Sequence, residues 1–340
     1  MNNKIIIIAE AGVNHDGKLK QALQLIDEAA ISGADYIKFQ TFNASKLVSA
    51  SAAKAAYQSA NTGKPDESQH SMLEALALDF DDFRTLNDYC LKKHIGFLSS
   101  GFDHESILFI DSLGVDYHKI PSGEITNLPM LQLIGSLGRK VLLSTGMATL
   151  HETELALNIL FESGTPKDNI TVLQCTTEYP APYDEVNLNV MHTMREAFNV
   201  KIGYSDHTPG IVIPIAASAM GAAVIEKHFT LDRNLPGPDH KASLEPDELA
   251  EMVKAIRLVE QAMGDGIKVP GKAEQKNILV ARRSIHLSKK VSSGHELTAS
   301  DLVMKRPGHG ISPMKINDVI GRKVAMDLNE DTLLMWEHLQ

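Results

Sequence analysis

Residues 201–230 read KIGYSDHTPGIVIPIAASAMGAAVIEKHFT. A β-rich run, Lys201 to Tyr204, gives way to a polar turn, an apolar stretch of helical period at Val212 to Met220, and a second β-rich run at Val224 to His228. Strand, helix and strand in so short a span mean parallel pairing, because the chain must cross back over the sheet before it can run in the same direction again. Ser205, His207, Glu226 and His228 stand where these two strands end.

The same unit recurs towards the N-terminus. Ile5 to Ala9, Tyr36 to Phe39, Gly96 to Ser99, Asp116 to Ile120, Val141 to Ser144 and Thr171 to Cys175 are strand-like, with helical stretches at Leu19 to Ile31, Phe83 to Lys92 and Glu152 to Glu162; another, Asp247 to Met263, follows the eighth strand. Eight such units over about 260 residues predict an α/β fold of the (β/α)8, or TIM barrel, class. The segment Phe42 to Asp79 is too long for an ordinary connection and reads as an excursion over the barrel mouth. After Gly264 the pattern breaks at the turn-rich DGIKVPGK. The expected organisation is a barrel over 1–264, a linker over 265–279 and a compact β-rich unit over 280–340 with strand-like pieces SIHLSKKV, DLVMKRP and KVAMDL.

Composition excludes several classes. The chain has 340 residues and is 43% hydrophobic, yet no apolar run approaches the roughly 20 residues needed to cross a bilayer. No signal-peptide core is recognisable, so a cytoplasmic location is expected. Two cysteines, Cys90 and Cys175, form neither a disulfide framework nor a CxxC pair. A formal charge of −10 disfavours nucleic acid and anionic membrane as partners.

The chemistry is expected at the strand ends, which carry Glu10, Lys38, Ser99 with Ser100, Lys119, Ser144, Thr176, Ser205 with His207, and Glu226 with His228. Any one polar residue there can simply mark where a buried strand meets water. Two lysines and several hydroxyls aimed into one mouth would repel or waste solvation unless an oxyanion sat among them. Lys38, Lys119, Ser122, Ser144 and Ser205 therefore form a candidate phosphate site, although each Ser-Gly or Thr-Gly pair taken alone is more often a turn. His207 and His228, on neighbouring strands, suit a divalent cation that keeps open positions, Mn²⁺ or Mg²⁺, with Asp206 and Glu226 available to orient them. A lone histidine is more often hydrogen-bonded than metal-bound; two on one rim shift the balance. Glu10 could orient a hydroxyl or water and take a proton; capping the next helix is the plain alternative, for which Asn14 and Asp16 are better placed.

Ten segments, IAEAGVNHDG, DYIKFQTF, KAAYQ with NTG, KIPSGEITNLP, LLSTGMAT, CTTEYPAPY, GYSDHTPG, VIEKHFTLD, GPDHKASLEPDE and KRPGHGISP, resemble the sialic acid synthase family, nearest its bacterial N-acetylneuraminate synthases. The resemblance runs in order over nearly the whole chain. It implies a barrel joined to an antifreeze-like (SAF, β-clip) domain in a domain-swapped homodimer. It also implies that His207 and His228 bind the metal, that Lys38, Ser100, Lys119, Ser122, Ser144 and Ser205 bind phosphoenolpyruvate, that Glu10, Asn61, Tyr179 and Asp239 face an amino sugar, and that Arg306 reaches its N-acyl group. The expected activity is condensation of phosphoenolpyruvate with N-acetylmannosamine and water to N-acetylneuraminate and phosphate. The alternative is a legionaminic or pseudaminic acid synthase using a diacetamido-trideoxy sugar; a non-catalytic protein with a decayed barrel is disfavoured by the surviving histidines and lysines. Three positions depart from the family pattern: Ser99-Ser100-Gly101-Phe102 in place of Ser-Thr-Pro-Phe, Thr177 in place of asparagine, and His309 in place of asparagine.

Overall fold

A computed structural model describes residues 4–49, 51–62 and 66–340. Gly63 of the NTG segment lies outside the described residues. The chain divides into two compact units, Met1–Asp265 and Gly266–Gln340.

The first unit contains eight strands: β1 (Ile6–Gly12), β2 (Tyr36–Thr41), β3 (Gly96–Gly101), β4 (Tyr117–Ile120), β5 (Lys140–Ser144), β6 (Ile170–Cys175), β7 (Lys201–Asp206) and β8 (Val224–His228). Their order is β3-β2-β1-β8-β7-β6-β5-β4, every ladder parallel, with β3 and β4 side by side to close the barrel. The expected (β/α)8 architecture is therefore present. Strand side chains alternate between faces, and this period of two sorts the sequence into two cores. Ile8, Leu98, Leu142, Leu173 and Val224 fill the barrel interior. Their neighbours in sequence, such as Ile7, Phe97, Val141, Val172 and Ile225, face outward into the larger core shared with the helices. Burying each interior aliphatic side chain contributes about 1.5–3 kcal/mol, so the floor beneath the mouth is rigid.

Following the same alternation upward, Glu10, Lys38, Ser100, Lys119, Ser144, Cys175, Ser205, Glu226 and His228 share the inward parity and are all buried. Ser99 and Asp206 have the opposite parity. Ser99 accordingly hydrogen-bonds Thr41 at 2.7 Å instead of entering the mouth, and the Thr176 hydroxyl donates to the Glu185 carbonyl. Asn14 and Asp16 do not cap the helix Leu19–Ile31, whose N-terminus has no side-chain cap. The Asn14 amide instead donates to the Phe229 carbonyl and the Ser243 hydroxyl, both at 2.9 Å, while Asp16 pairs with buried His240 at 3.0 Å. Both residues pin the segment after β8.

The excursion after β2 folds into short helices, Ala44–Leu47, Ala56–Thr62 and Gln69–Leu76. Asn43 and Ser68 cap the first and third by accepting backbone N–H bonds. Val13, Phe42, Ala44, Met72, Leu73 and Leu76 give this segment a small core of its own.

In the second unit β9 (Ser284–Leu287) and β10 (Leu302–Lys305) pair antiparallel. The third strand-like piece, KVAMDL, forms only single bridges, through Lys323, Val324 and Leu328. Ile285, Leu287, Val291, Ile311, Val324 and Leu334 make the core. The stretch read as linker, 265–279, is not wholly irregular: a helix spans Lys272–Ala281. No helix among the described residues is long and apolar enough to cross a membrane.

Candidate active site

At the C-terminal mouth of the barrel lies a cavity of ≈ 350 Å³. Glu10, Lys38, Ser100, Lys119, Ser122, Ser144, Tyr179, Ser205, His207, Glu226 and His228 all line it. Parity explains the convergence: each is inward-facing at a strand end or lies in the loop that follows.

Its floor is a chain of buried charges. The Lys38 ammonium lies 2.5 Å from Glu10 and 3.9 Å from Glu226, and Lys119 lies 2.8 Å from Glu226. The oxyanions expected among the two lysines are thus partly the protein's own. Burial pushes the Glu10 carboxyl up to about 7, against the pull of Lys38. Burial acts on Glu226 in the same sense, but Lys119, Lys38 and the Ser205 hydroxyl pull it down to about 2. One carboxylate has two ammonium neighbours and the other has one, which separates their proton affinities. Glu226 is a fixed anion, and Glu10 can change charge near neutral pH.

A β-bulge between Glu10 and Gly12 shifts the register at the end of β1. Gly12 sits at φ +52, and a Cβ there would come 3.1 Å from the Glu10 carboxylate, so glycine at this position keeps Glu10 in place. Gly146 has the same use on the opposite wall: its N–H donates to Ser122 at 2.9 Å, and a Cβ would collide with the Thr177 hydroxyl at 2.0 Å.

The two histidine rings are 5.2 Å apart, centroid to centroid, and Tyr179 packs 4.1 Å from the His207 ring. The His207 Nδ1–H donates to the Thr176 carbonyl at 2.6 Å, which leaves Nε2 with the lone pair in the neutral ring. Burial lowers the His207 pKa, but Cys175, the Thr176 carbonyl and Asp206 outweigh it and leave it raised. Burial, then His207 and the nearby lysines, hold His228 well below the ordinary histidine range, so it is neutral. Neither acid orients the rings as expected. Glu226 engages Lys119 and Ser205, and Asp206 faces the other side of the strand.

There Asp206 meets Lys227, 2.5 Å away, both side chains fully buried. The Tyr204 hydroxyl and the Thr208 N–H and hydroxyl also donate to Asp206, and Lys227 reaches the Thr208 carbonyl. Each histidine is the chain neighbour of one member of this pair, so the pair ties together the strand ends that carry them.

In contrast, Ser144 Oγ, Thr177 Oγ1, Glu226 Oε2 and His228 Nδ1 are buried without a hydrogen-bond partner and all line the cavity. Orphaned polar atoms cost about 1–3 kcal/mol each, so their concentration in one place marks where a polar ligand belongs. Two imidazoles, one oriented by a carbonyl and one neutral with a free nitrogen, fit a divalent cation that takes its other ligands from substrate and water. Among the described residues no third His, Cys, Asp or Glu closes such a site.

Asp239 is buried, and burial raises its carboxyl to about 6 despite His207, His240 and Lys38. Asn61 does not line the cavity; its amide donates to the Pro238 carbonyl at 2.7 Å, beside Asp239. Arg306 and His309 are exposed in the second unit. Gln40, Cys175, Met147, Gln58, Gln69, Leu73 and Phe102 line the cavity without having been singled out. Gln40 was within reach of the pattern, two residues beyond Lys38 on the same strand.

The pattern of the NeuB family matches residues 25–268, and that of the SAF domain residues 282–340. An N,N'-diacetyllegionaminic acid synthase of Campylobacter jejuni is 51% identical over 97% of this chain and 99% of its own length. One from Legionella pneumophila is 44% identical over 98% of this chain and 94% of its own. The crystal structure of an N-acetylneuraminic acid (sialic acid) synthetase from Leptospira borgpetersenii, in complex with citrate, is 35% identical, with a TM-score of 0.71 over 82% of this chain and 91% of that one. With an eight-stranded parallel barrel, a polar mouth and a SAF domain, the chain belongs to the NeuB family of sialic-acid-type synthases.

Proposed function

We propose that the protein condenses phosphoenolpyruvate with 2,4-diacetamido-2,4,6-trideoxymannose and water, giving N,N'-diacetyllegionaminic acid and phosphate. The observation that carries the reaction type is the single cavity in which two lysines, two carboxylates of unlike proton affinity, two histidines and unpartnered hydroxyls meet. The acceptor follows the 51% and 44% identity to legionaminic acid synthases, which supports that sugar over the N-acetylmannosamine expected from motifs alone.

The phosphate group of the donor is held by Lys38 and Lys119 with hydroxyls of Ser100, Ser122, Ser144 and Ser205. The C2–C3 double-bond electrons of phosphoenolpyruvate form the new bond from C3 to the aldehyde carbon, leaving C2 cationic, and the aldehyde oxygen takes a proton from water. Water adds at C2, and Glu10, poised near neutral pH, takes its proton. The C2–O bond to phosphate then breaks, phosphate leaves with the electron pair, and the C2 hydroxyl gives its proton to the departing phosphate as the keto group forms. Glu226 stays ionised throughout and keeps Lys119 charged and aimed. His207 and His228 would hold Mn²⁺ or Mg²⁺, which when bound supplies Lewis-acid polarisation of the aldehyde oxygen. Asp239 and Tyr179 face the sugar. A homodimer, with Arg306 supplied by the partner to the N-acyl group, belongs to the same reading.

The test is phosphate release in the presence of each acceptor. A kcat/KM at least tenfold higher for the diacetamido sugar is expected; faster turnover of N-acetylmannosamine would reject the acceptor.

A further inference from the structure

The cavity has two unlike sides. The strand ends give it a charged and hydroxylated floor, whereas Leu47, Val48, Gln58, Gln69 and Leu73 from the segment after β2, with Phe102 just after β3, form a wall without a charged group. Local structure accounts for the wall. On the helix Gln69–Leu76, Met72, Leu73 and Leu76 pack into the small core of the excursion, and Leu73, with Gln69 four residues before it on the same face, also borders the cavity. Phe102 is held edge-on against Phe42, with ring centroids 6.3 Å apart at 80°. Leu47 and Val48 pack against the same core.

The two glutamines keep hydrogen-bonding capacity in reserve. Gln58 Oε1 accepts from the Ala55 N–H at 2.9 Å, which leaves its amide N–H groups to donate. The Gln69 side chain makes no hydrogen bond to a described residue.

We propose that this wall selects the acceptor: Val48, Leu73 and Phe102 receive the C6 methyl group, and Gln58 and Gln69 pair with the C4 acetamido group. The inference rests on the acceptor class proposed above and assigns the residues that read it. A diacetamido-trideoxy sugar differs from N-acetylmannosamine in two places, a methyl in place of a hydroxymethyl and an amide in place of a hydroxyl. A hydroxymethyl pressed on Leu73 and Phe102 loses its water without gaining a partner. A secondary amide offers one donor and one acceptor, and a primary amide side chain can satisfy both.

The experiment measures kcat/KM of the full-length protein for both sugars in wild type, Val48→Ser and Gln69→Leu, with the KM for phosphoenolpyruvate as a control on the charged side. Each substitution is expected to lower the ratio of the two kcat/KM values, diacetamido sugar over N-acetylmannosamine, by about tenfold, the scale set by one misplaced small group in a pocket. Gln69→Leu adds no buried polar group and serves as the test if Val48→Ser does not fold. A wild type that uses the diacetamido sugar, with variants that leave the ratio unchanged, overturns the wall alone. A wild type inert with that sugar overturns the acceptor assignment, and the wall falls with it.

Discussion

Two buried acid–amine sites lie on opposite faces of the barrel sheet and adjoin at β8, where Glu226 points inward and Lys227 outward, and they are built to different ends. On the outer face, Asp206 and Lys227 are sealed: every donor and acceptor around them is engaged by Tyr204 or Thr208. On the inner face, Lys38, Lys119, Glu10 and Glu226 are just as buried, yet Glu226 Oε2 and the nearby Ser144 and Thr177 hydroxyls have no partner. A saturated network fixes a structure, and an unsaturated one holds polar capacity for something else. The difference separates scaffold from site, although both use the same residue types.

The contrast can be broken from the outer face first. Lys227→Met leaves Asp206 buried and uncompensated, and should cost about 3–5 kcal/mol in chemical denaturation. Pairing it with Asp206→Leu should recover much of that loss; a single variant as stable as wild type would show that the pair is not a clamp. The inner face should respond in activity. Lys119→Met leaves Glu226 with Lys38 and Ser205, so the protein should fold while kcat/KM falls about 10²–10³-fold, as for loss of one charge-stabilising group.

Glu10 sharpens the comparison further, because it is the group on the inner face whose charge changes near neutrality. Its ionised form is the base, so kcat/KM should rise as pH climbs through about 7 and fall below it. Glu10→Gln should remove that limb of the profile along with most of the rate. A wild-type profile flat from pH 6 to 8 would contradict the role. The smallest effect is expected at Thr177→Val, which removes an orphaned hydroxyl: stability unchanged or raised by up to about 1 kcal/mol, with the KM for phosphoenolpyruvate increased several-fold.

Much of this was legible in the sequence because strand alternation is simple. Once β1 to β8 are placed, Lys38, Lys119, Ser144, Ser205 and His228 fall on the inward side without further information. The same rule was available to exclude Ser99 and Asp206, which are adjacent in sequence to site residues and so face the opposite way. What sequence could not supply was partnership between distant strands. That Glu10 and Glu226 neutralise the lysines depends on distances across the barrel, and no local pattern records them. The wall was hidden for a different reason: Gln69 and Leu73 sit on a helix of eight residues, Gln69–Leu76, too short to show a periodic signal above its surroundings. In the second unit, KVAMDL alternates like a strand but is tied only by isolated bridges, where turns rather than a ladder decide the backbone.

The most direct test follows phosphoenolpyruvate consumption and phosphate release by the full-length protein with Mn²⁺ or Mg²⁺ and 2,4-diacetamido-2,4,6-trideoxymannose, with Lys119→Met in parallel. One phosphate released for each nine-carbon keto acid formed, and loss of both in the variant, is the predicted result. Phosphoenolpyruvate left intact with every amino sugar tried, or a Lys119→Met protein as active as wild type, would contradict it.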